Sequence, residues 1–450
     1  MHALLLLLVL LLAPAHAALR EYAWTVSLAP VSADGGQSPP PLHPVVNGRQ
    51  PGTLLRARVN DTVVLRVYNA LPSAVTSLHW HGVKQVGTPH ADGLPGVSQC
   101  GIAPGQTFEY RFRVDRPGTL WWHSHSAMQK MTMSGAIVVH GDESVVGDYP
   151  ERVLVLGEWW HRDQREMSEG LKKPVPDFEW VGDADSLLIN GRAVFDCDVR
   201  KGECGDDAKR LSVLHVDPGV TYRVRVIGAQ ALALLNLHFD AHVMRVVEVE
   251  STLVRPFNTD ALDVTSGQSY SVLLRTFWIR TTVRHRGSDK EGLAILRYST
   301  ADANATLPMR TPRRAPERDD IEWSLRHVRR FKSRFPVDLP PATRQLSILG
   351  TQNQQADGTL LWAVNNISFI KRPTPLLHAM QFGLREETKQ WIEQSRIPNE
   401  FDFNQTLGDL NLSTATKTGT HVIKLRKDEV VDIVFQNTRA LNGAEEVHPW

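Results

Sequence analysis

The stretch Asn60-Asp-Thr-Val-Val-Leu-Arg-Val-Tyr-Asn-Ala-Leu71 indicates the fold of this chain. It starts with a polar turn and continues with alternating apolar and polar residues, the pattern of a half-buried β-strand. The same pattern returns at residues 217–228 and 427–438. A histidine follows the first two strands after ten residues (His79, His238) and the third after eleven (His448). Amphipathic strands can look alike by chance, but the shared histidine spacing favours three copies of one β-sandwich domain.

The rest of the sequence predicts how this all-β chain is divided. A chain of 450 residues is too long for one hydrophobic core. We expect domains at residues 18–147 and 148–307, a linker at 308–345 and a third, incomplete domain at 346–450. Residues 310–334 are rich in arginine and broken by Pro312 and Pro316, which predicts a surface loop. A nucleic-acid patch is the alternative, but acidic residues interrupt its charge, so we expect no nucleic-acid partner.

The first 17 residues predict export. Leu4 to Leu12 form an almost purely aliphatic run, and Ala15-His-Ala17 after it fits a signal-peptidase site. A membrane anchor is the alternative, but spanning a bilayer takes about 20 apolar residues and this run is shorter. We therefore expect a soluble protein without a membrane partner, secreted to the extracellular space or the cell wall. Triplets for N-glycosylation fit this route, and they start at Asn60, Asn304, Asn366, Asn404 and Asn411.

The cysteines are three in number, Cys100, Cys197 and Cys204. Export permits disulfides, and Cys197 and Cys204 are close enough in the sequence to close a small loop. Cys100 then has no partner within this sequence, which is unusual for an exported protein.

Two His-x-His segments carry the main functional signal. His79-Trp-His81 and His123-Ser-His125 each lie on a predicted strand, where residues two apart point to the same face. Each pair presents two imidazoles about 7 Å apart at the backbone, and two adjacent strands can bring four together. Imidazole binds copper, zinc, iron and nickel. Structural histidines explain many single pairs, and zinc hydrolases also use them, so the pairs predict a metal site without naming the metal.

The sequence around these pairs resembles the multicopper oxidase family. Residues 79–93, 98–107 and 118–125 are similar to the first two copper motifs of that family. The likeness is greatest to plant-type L-ascorbate oxidases and continues through later segments: Gly157-Glu-Trp-Trp-His, Leu187-Leu-Ile-Asn-Gly-Arg, Phe195-Asp-Cys, Ser266-Gly-Gln-Ser-Tyr and Trp362-Ala-Val-Asn-Asn. The resemblance implies three tandem cupredoxin-like β-sandwich domains, in agreement with the triple repeat.

The resemblance also implies a set of copper ligands. His79 matches a type 2 copper ligand, and His81, His123 and His125 match ligands of the binuclear type 3 pair. His448, close to the end of the sequence, matches a type 1 copper ligand. The rest of that motif and the type 1 cysteine do not occur in the 450 residues. We therefore expect the chain by itself to be inactive and a full-length parent to carry the complete centres.

Further site residues follow from the same resemblance. Asp92 matches a carboxylate near the copper cluster that can orient an imidazole or relay protons, and an ordinary turn residue is the alternative. Trp180 and Trp362 match residues that flank the ascorbate pocket, although a tryptophan in the core is the commoner case. Cys197 and Cys204 match a local disulfide of the family. Cys100 matches a cysteine whose disulfide reaches the C-terminal tail.

The function implied is one-electron oxidation of ascorbate coupled to four-electron reduction of dioxygen to water. Copper of types 1, 2 and 3 is the implied cofactor, and dioxygen and a small reducing substrate are the implied partners, while a homodimer is left open. A laccase or ferroxidase, acting on phenols or ferrous iron, is the first alternative. The second is a copper-free cell-wall protein on a cupredoxin scaffold. Such proteins typically lose the motif histidines, which are present here.

Overall fold

The structure is a computed structural model that describes residues 17–142, 145–197, 205–240, 242–274, 278–300, 316–384, 388–389, 392–393 and 416–436. β-Strands dominate, and the helices are short: α1 (Gln164–Gly170), α2 (Ile321–Val328) and α3 (Leu376–Gln381). None of the described helices has the length and apolar character needed to cross a bilayer. The predicted signal peptide, apart from its last residue, and His448 lie outside the described residues, so both stay predictions.

The first repeat is a sandwich of two four-stranded sheets. Its strands are β1 (Leu19–Pro30), β2 (Leu42–Val46), β3 (Leu55–Arg58), β4 (Thr62–Asn69), β5 (Leu78–His81), β6 (Thr107–Arg113), β7 (Gly118–Ser124) and β8 (Ser134–His140). One sheet has the order β2-β1-β4-β6 and the other β3-β8-β7-β5. Since every second residue of a strand points inward, both sheets supply one core, where Trp24 meets Trp80 and Trp122.

The second repeat is a larger sandwich of the same kind. Its strands are β9 (Glu151–Trp159), β10 (Ser186–Ile189), β11 (Ser212–Val216), β12 (Tyr222–Gly228), β13 (Leu234–Phe239), β14 (Met244–Val249), β15 (Thr252–Thr259), β16 (Ala261–Val264), β17 (Ser269–Leu274), β18 (Ile279–Arg284) and β19 (Glu291–Tyr298). The sheet orders are β10-β9-β12-β17-β14-β15 and β11-β19-β18-β13-β16. Both sheets contribute to a single hydrophobic core.

The described residues of the third repeat form one six-stranded sheet. Its strands are β20 (Arg344–Gln354), β21 (Leu360–Val364), β22 (Ile367–Phe369), β23 (Ile392–Glu393), β24 (Lys417–His421) and β25 (Val431–Gln436). Their order is β23-β24-β22-β21-β20-β25. Several apolar side chains of this sheet are exposed, among them Ile433 and Phe435 of β25.

The three stretches that predicted a repeat occupy equivalent places. They contain β4, β12 and β25, and each of these strands pairs in parallel with the first strand of its own repeat, β1, β9 or β20. His79 and His238, at equal distances from their stretches, lie on β5 and β13. The predicted all-β fold with tandem repeats is confirmed, whereas the residue boundaries between the domains stay a prediction.

The structure differs from the surface loop predicted at residues 310–334. Residues 321–328 form α2, and the Asp320 carboxylate caps it by accepting the Trp323 backbone N–H at 2.8 Å. His327 is buried against the second repeat, in contact with Phe257 and Phe331. Ile321, Leu325 and Val328 have the i, i+4, i+7 spacing of an amphipathic helix. The prediction of a loop, based on the surrounding arginines and prolines, overlooked this spacing.

The first and second repeats meet through apolar and charged contacts. Trp121 of β7 packs against apolar residues of β9 and β12. Beside it, the buried Glu248 carboxylate accepts the backbone N–H of Thr119 at 2.8 Å and a guanidinium N–H of Arg223 at 2.6 Å. These contacts fix β7, the strand that carries the second histidine pair, against the second repeat.

Candidate metal centre

Two neighbouring strands of the first repeat bring the histidine pairs together. β5 and β7 pair in antiparallel fashion, with His79 directly opposite His123. The intervening Trp80 and Ser124 are buried on the opposite side from the histidines, as strand alternation requires. His125 follows the last residue of β7. The sequence-based expectation that two adjacent strands present four imidazoles to one place is met by this geometry.

The four imidazole rings are grouped around His79. From the centroid of its ring, the other ring centroids lie at 5.8 Å (His81), 5.3 Å (His123) and 5.9 Å (His125). Ring nitrogens of His79, His81 and His123 lie within 4.8 Å of one another, an arrangement that can hold a metal ion.

Burial favours the neutral form of His81, His123 and His125. It lowers the pKa of His81 to about 4, with smaller contributions from the charges of His79 and other neighbours. Burial likewise lowers the pKa of His123 well below its usual range and lowers the pKa of His125. A neutral imidazole keeps a lone pair on one ring nitrogen, which is the form that binds metal ions.

Hydrogen bonds indicate which ring nitrogen is free. The Nδ1 of His79 lies 2.7 Å from the carbonyl oxygen of Asp92. The Nδ1 of His123 lies 3.0 Å from the carbonyl oxygen of Ser124. A carbonyl only accepts, so Nδ1 donates in both cases, and the Nε2 of each ring is left for a metal ion.

Asp92 lies beside the cluster, where the resemblance placed it. Its carboxylate Oδ1 is 3.4 Å from the same Nδ1 of His79, so the backbone carbonyl makes the shorter contact. The next residue, Gly93, has a φ of +89°, and a Cβ there would come within 1.8 Å of the Leu78 carbonyl oxygen. Glycine therefore allows the Asp92 turn to approach β5 closely enough to bond His79.

A buried glutamine connects the chain segments next to the two histidine pairs. Gln129, in the short 3₁₀ helix Ala127–Met131, accepts hydrogen bonds from the hydroxyls of Thr76 (2.8 Å) and Ser124 (3.0 Å). Its amide donates to the carbonyl of Val75 at 2.9 Å. It thus ties the residues after β7 to those before β5. No sequence motif pointed to Gln129, because two of these partners, Thr76 and Val75, are about 50 positions away in the chain.

The second repeat closes one side of the histidine pocket. Gly267 lies against His81, whose ring is 3.2 Å from where a Cβ on Gly267 would be. Lys130 of the first repeat reaches across and donates to Ser266 Oγ at 3.4 Å. Glu250 also lines this pocket. Glu250, Ser266 and Gly267 reach the pocket only because the two repeats dock, which no sequence motif predicts.

Comparison with known proteins identifies the kind of site. Residues 31–144 and 151–301 match two models, each described as multicopper oxidase. L-Ascorbate oxidase of Cucumis sativus is 36% identical over 430 residues, which cover 90% of this chain and 72% of that protein. The chain belongs to the multicopper oxidase family. The family uses type 1, type 2 and type 3 copper centres.

Other relatives support membership of the multicopper oxidase family and its fold. Laccase-4 of Arabidopsis thaliana is 30% identical over 466 residues, covering 97% of this chain and 79% of the laccase. The solved laccase of Botrytis aclada superposes with a TM-score of 0.64 at 26% identity and covers 80% of this chain and 66% of its own. Fet3p, a multicopper oxidase that functions in iron import, gives a TM-score of 0.66 at 23% identity, with 79% and 65% covered. The predicted tandem cupredoxin-like fold is confirmed.

The two tryptophans that resemble substrate-pocket residues of the multicopper oxidase family lie on one surface. Trp180 and Trp362 are 38% and 40% exposed, so neither is a core residue. The ring of Phe178, two positions before Trp180, lies 6.1 Å from the ring of Trp362. The loop that carries Trp180 therefore packs beside β21, which carries Trp362.

The structure describes two of the three cysteines, Cys100 and Cys197. Cys100 is exposed and has no disulfide partner among the residues that the structure describes. Cys197 lies next to the apolar cluster around Leu211 and Trp278. Cys204 lies outside the described residues, so the bridge between Cys197 and Cys204 stays a prediction.

Proposed function

We propose that this protein is a copper-dependent oxidoreductase that couples one-electron oxidation of ascorbate to reduction of dioxygen to water. Each dioxygen takes up four electrons and four protons to give two waters, so four ascorbate molecules each lose one electron. The observation that carries the proposal is the group of four imidazoles on β5 and β7, three of which have a lowered pKa. A scaffold protein that binds no copper does not require four imidazoles in one pocket.

Four imidazoles are suitable ligands for copper, and each residue of the site has a proposed role. His79 would hold type 2 copper, and His81, His123 and His125 would hold the type 3 pair. When bound, copper supplies one-electron redox chemistry and dioxygen reduction. The Asp92 carbonyl fixes the orientation of the His79 ring. The Asp92 carboxylate, 3.4 Å from the same ring, is placed to hold or release a proton at its Oδ1.

Electrons would enter at a type 1 centre of which His448 is one ligand. A blue-copper centre takes two histidines and a cysteine, and the 450 residues contain no second histidine and cysteine in the family's arrangement. We propose that the 450-residue chain alone does not turn over and that a full-length parent does.

The test compares the 450-residue chain with a full-length parent after copper loading. We expect both to bind copper, and the parent to reduce one dioxygen for every four one-electron oxidations of ascorbate. Because the ascorbyl radicals disproportionate to ascorbate and dehydroascorbate, the measured net loss should be two ascorbate molecules per dioxygen. The short chain should consume oxygen no faster than the same amount of copper held by a plain histidine peptide. A parent that binds no copper, or that leaves ascorbate unoxidised while copper-loaded, would refute the proposal.

A laccase- or ferroxidase-type reaction is the second candidate. The likeness to Laccase-4 of Arabidopsis thaliana and to the Botrytis aclada laccase favours a phenol as reductant, and the likeness to Fet3p concerns the fold alone. Measuring oxygen uptake of the parent with ascorbate, a methoxyphenol and ferrous iron separates these candidates. The ascorbate proposal requires the highest kcat/KM with ascorbate.

Substitution of Trp362 tests the substrate site. We expect Trp362→Ala in the full-length parent to raise the KM for ascorbate roughly two- to tenfold, the value of one aromatic stacking contact, with little change in kcat. Trp323→Ala is the matched control, because Trp323 lies on α2 and stacks on His327 instead. Steady-state oxygen uptake measures both. Equal KM values for Trp362→Ala and Trp323→Ala would rule out a substrate contact at Trp362.

We also propose that the protein is secreted, and glycosylation tests this. Asn60 is exposed in the turn between β3 and β4, whereas the Asn366 side chain accepts hydrogen bonds from Asn353 (3.0 Å) and Thr416 (2.8 Å). In a secreting eukaryotic host we expect an N-glycan on Asn60 and none on Asn366. Mass spectrometry of peptides before and after glycosidase treatment shows this. A secreted protein whose Asn60 is unmodified would contradict the prediction.

A further inference from the structure

Lys130 places a positive charge in the histidine pocket. Its side chain lines the pocket together with the four histidines. The ammonium donates to Ser266 Oγ at 3.4 Å, and within the described part of the chain it forms no salt bridge. A partly buried ammonium is usually stabilised by a close carboxylate, since removing it from water is costly. Lys130 therefore has a single long hydrogen bond where packing alone would favour an apolar residue.

The neighbouring carboxylates leave this charge uncompensated at close range. Glu158 acts on Lys130 electrostatically, but its Oε2 is taken up by the backbone N–H groups of residues 231–233, at 2.7 to 3.3 Å. Glu250 lines the same pocket and accepts the Ser269 N–H at 3.0 Å. Asp92 lies on the other side, beside His79. The pocket thus has carboxylates at its edges and one ammonium beside the imidazoles.

The ammonium shares one pocket with the whole cluster, because Lys130 lines it together with His79, His81, His123 and His125. A positive charge in that pocket disfavours a metal cation held by the imidazoles, because both are positive. The repulsion is proportional to the charge of the ion, so it is greater for Cu(II) than for Cu(I).

We propose that Lys130 is an electrostatic residue that shifts copper bound in the histidine pocket towards the Cu(I) state. The inference rests on the proposed copper centre and adds the residue that sets its redox preference. A higher preference for Cu(I) makes the centre a better electron acceptor from its reductant. Loss of the charge should change the ratio of Cu(II) to Cu(I) affinity on the order of tenfold, from the interaction of unit charges near a protein surface.

The test measures the affinity of the purified 450-residue chain for each form of copper. Nitrilotriacetate competes for Cu(II) in air, and bicinchoninate competes for Cu(I) under nitrogen, both at pH 7. Lys130→Met and Lys130→Gln remove the charge, and Lys130→Arg keeps it. Lys172→Met removes an exposed lysine in another part of the molecule. Circular dichroism and copper stoichiometry check that each variant folds and keeps its ligands.

We expect Lys130→Met and Lys130→Gln to raise the Cu(II) to Cu(I) affinity ratio about tenfold, and Lys130→Arg and Lys172→Met to leave it within about twofold. A redox titration of the bound copper should show a lower potential for the first two variants. An unchanged ratio in Lys130→Met and Lys130→Gln, with copper bound, would overturn this inference alone. A wild-type chain that binds neither form of copper would overturn the proposed copper centre and this inference with it.

Discussion

Replacement of His123 by alanine is expected to weaken copper binding by at least about 100-fold. Residues that only support a ligand cost about 10–100-fold when they are lost, and His123 is proposed as a ligand itself. Its ring lies 5.3 Å from that of His79 and 6.0 Å from that of His81. Apart from the four histidines of the cluster, no described histidine lines the pocket to replace it. Copper content after dialysis against a chelator measures the effect.

Two further variants make the copper prediction specific. His90→Ala removes an exposed histidine of the 3₁₀ helix Pro89–Ala91 and should leave copper binding unchanged. Asp92→Asn should also keep copper, because the backbone carbonyl of residue 92 orients His79. Oxygen reduction by a full-length parent should fall in Asp92→Asn if its carboxylate handles protons. Copper retention by His123→Ala equal to that of His90→Ala would refute the ligand assignment.

Replacement of Arg223 by methionine is expected to lower the free energy of unfolding by about 3–5 kcal/mol, the cost of leaving one partner of a buried ion pair alone. The side chains of Arg223 and Glu248 are 5% and 2% exposed, and their charged atoms are 2.6 Å apart. Without Arg223, the buried Glu248 carboxylate keeps the Thr119 N–H and loses its counter-charge. Guanidinium denaturation followed by tryptophan fluorescence gives the shift of the transition.

A surface ion pair provides the control for this stability prediction. Arg66 pairs with Glu109 at 3.0 Å, with both side chains largely exposed, and Arg66→Met should cost less than about 1 kcal/mol. The double variant Arg223→Met with Glu248→Leu removes both buried charges and should recover part of the loss. Equal destabilisation by Arg223→Met and Arg66→Met would show that the buried pair does not stabilise the contact between the repeats.

The sequence predicted those features that depend on local periodicity. The alternation around residues 62–69 predicted β4, and the spacing of two within each His-x-His segment predicted which face the imidazoles share. Two such strands side by side in one sheet can bring four imidazoles together, and β5 and β7 are paired in this way. These are properties of short segments, and they hold whatever the rest of the chain does.

Other parts of the site could not be read from the sequence, because they depend on contacts between distant residues. Ser266 and Gly267 reach the pocket only when the second repeat docks on the first. Gln129 has no motif, and its role follows from its burial between Thr76 and Ser124. The contact from His79 to Asp92 was expected through the carboxylate, and the shorter one is made by the backbone, which residue type does not encode.

The parallel pairing within each repeat sets an order of events during synthesis. In each repeat the second part of the first strand pairs with the next strand along the chain, whereas its first part pairs only with the repeat stretch. That first part has no partner until the repeat stretch has left the ribosome. In the first repeat Leu19 pairs with Thr62, whereas in the third Arg344 pairs with Val431, and the distance along the chain is roughly twice as long. At a synthesis rate of roughly 5–20 residues per second, the first part of β20, residues 344–349, stays unpaired for several seconds. The third repeat should therefore be the part of the nascent chain that depends most on chaperones, since an unpaired apolar strand edge is open to aggregation.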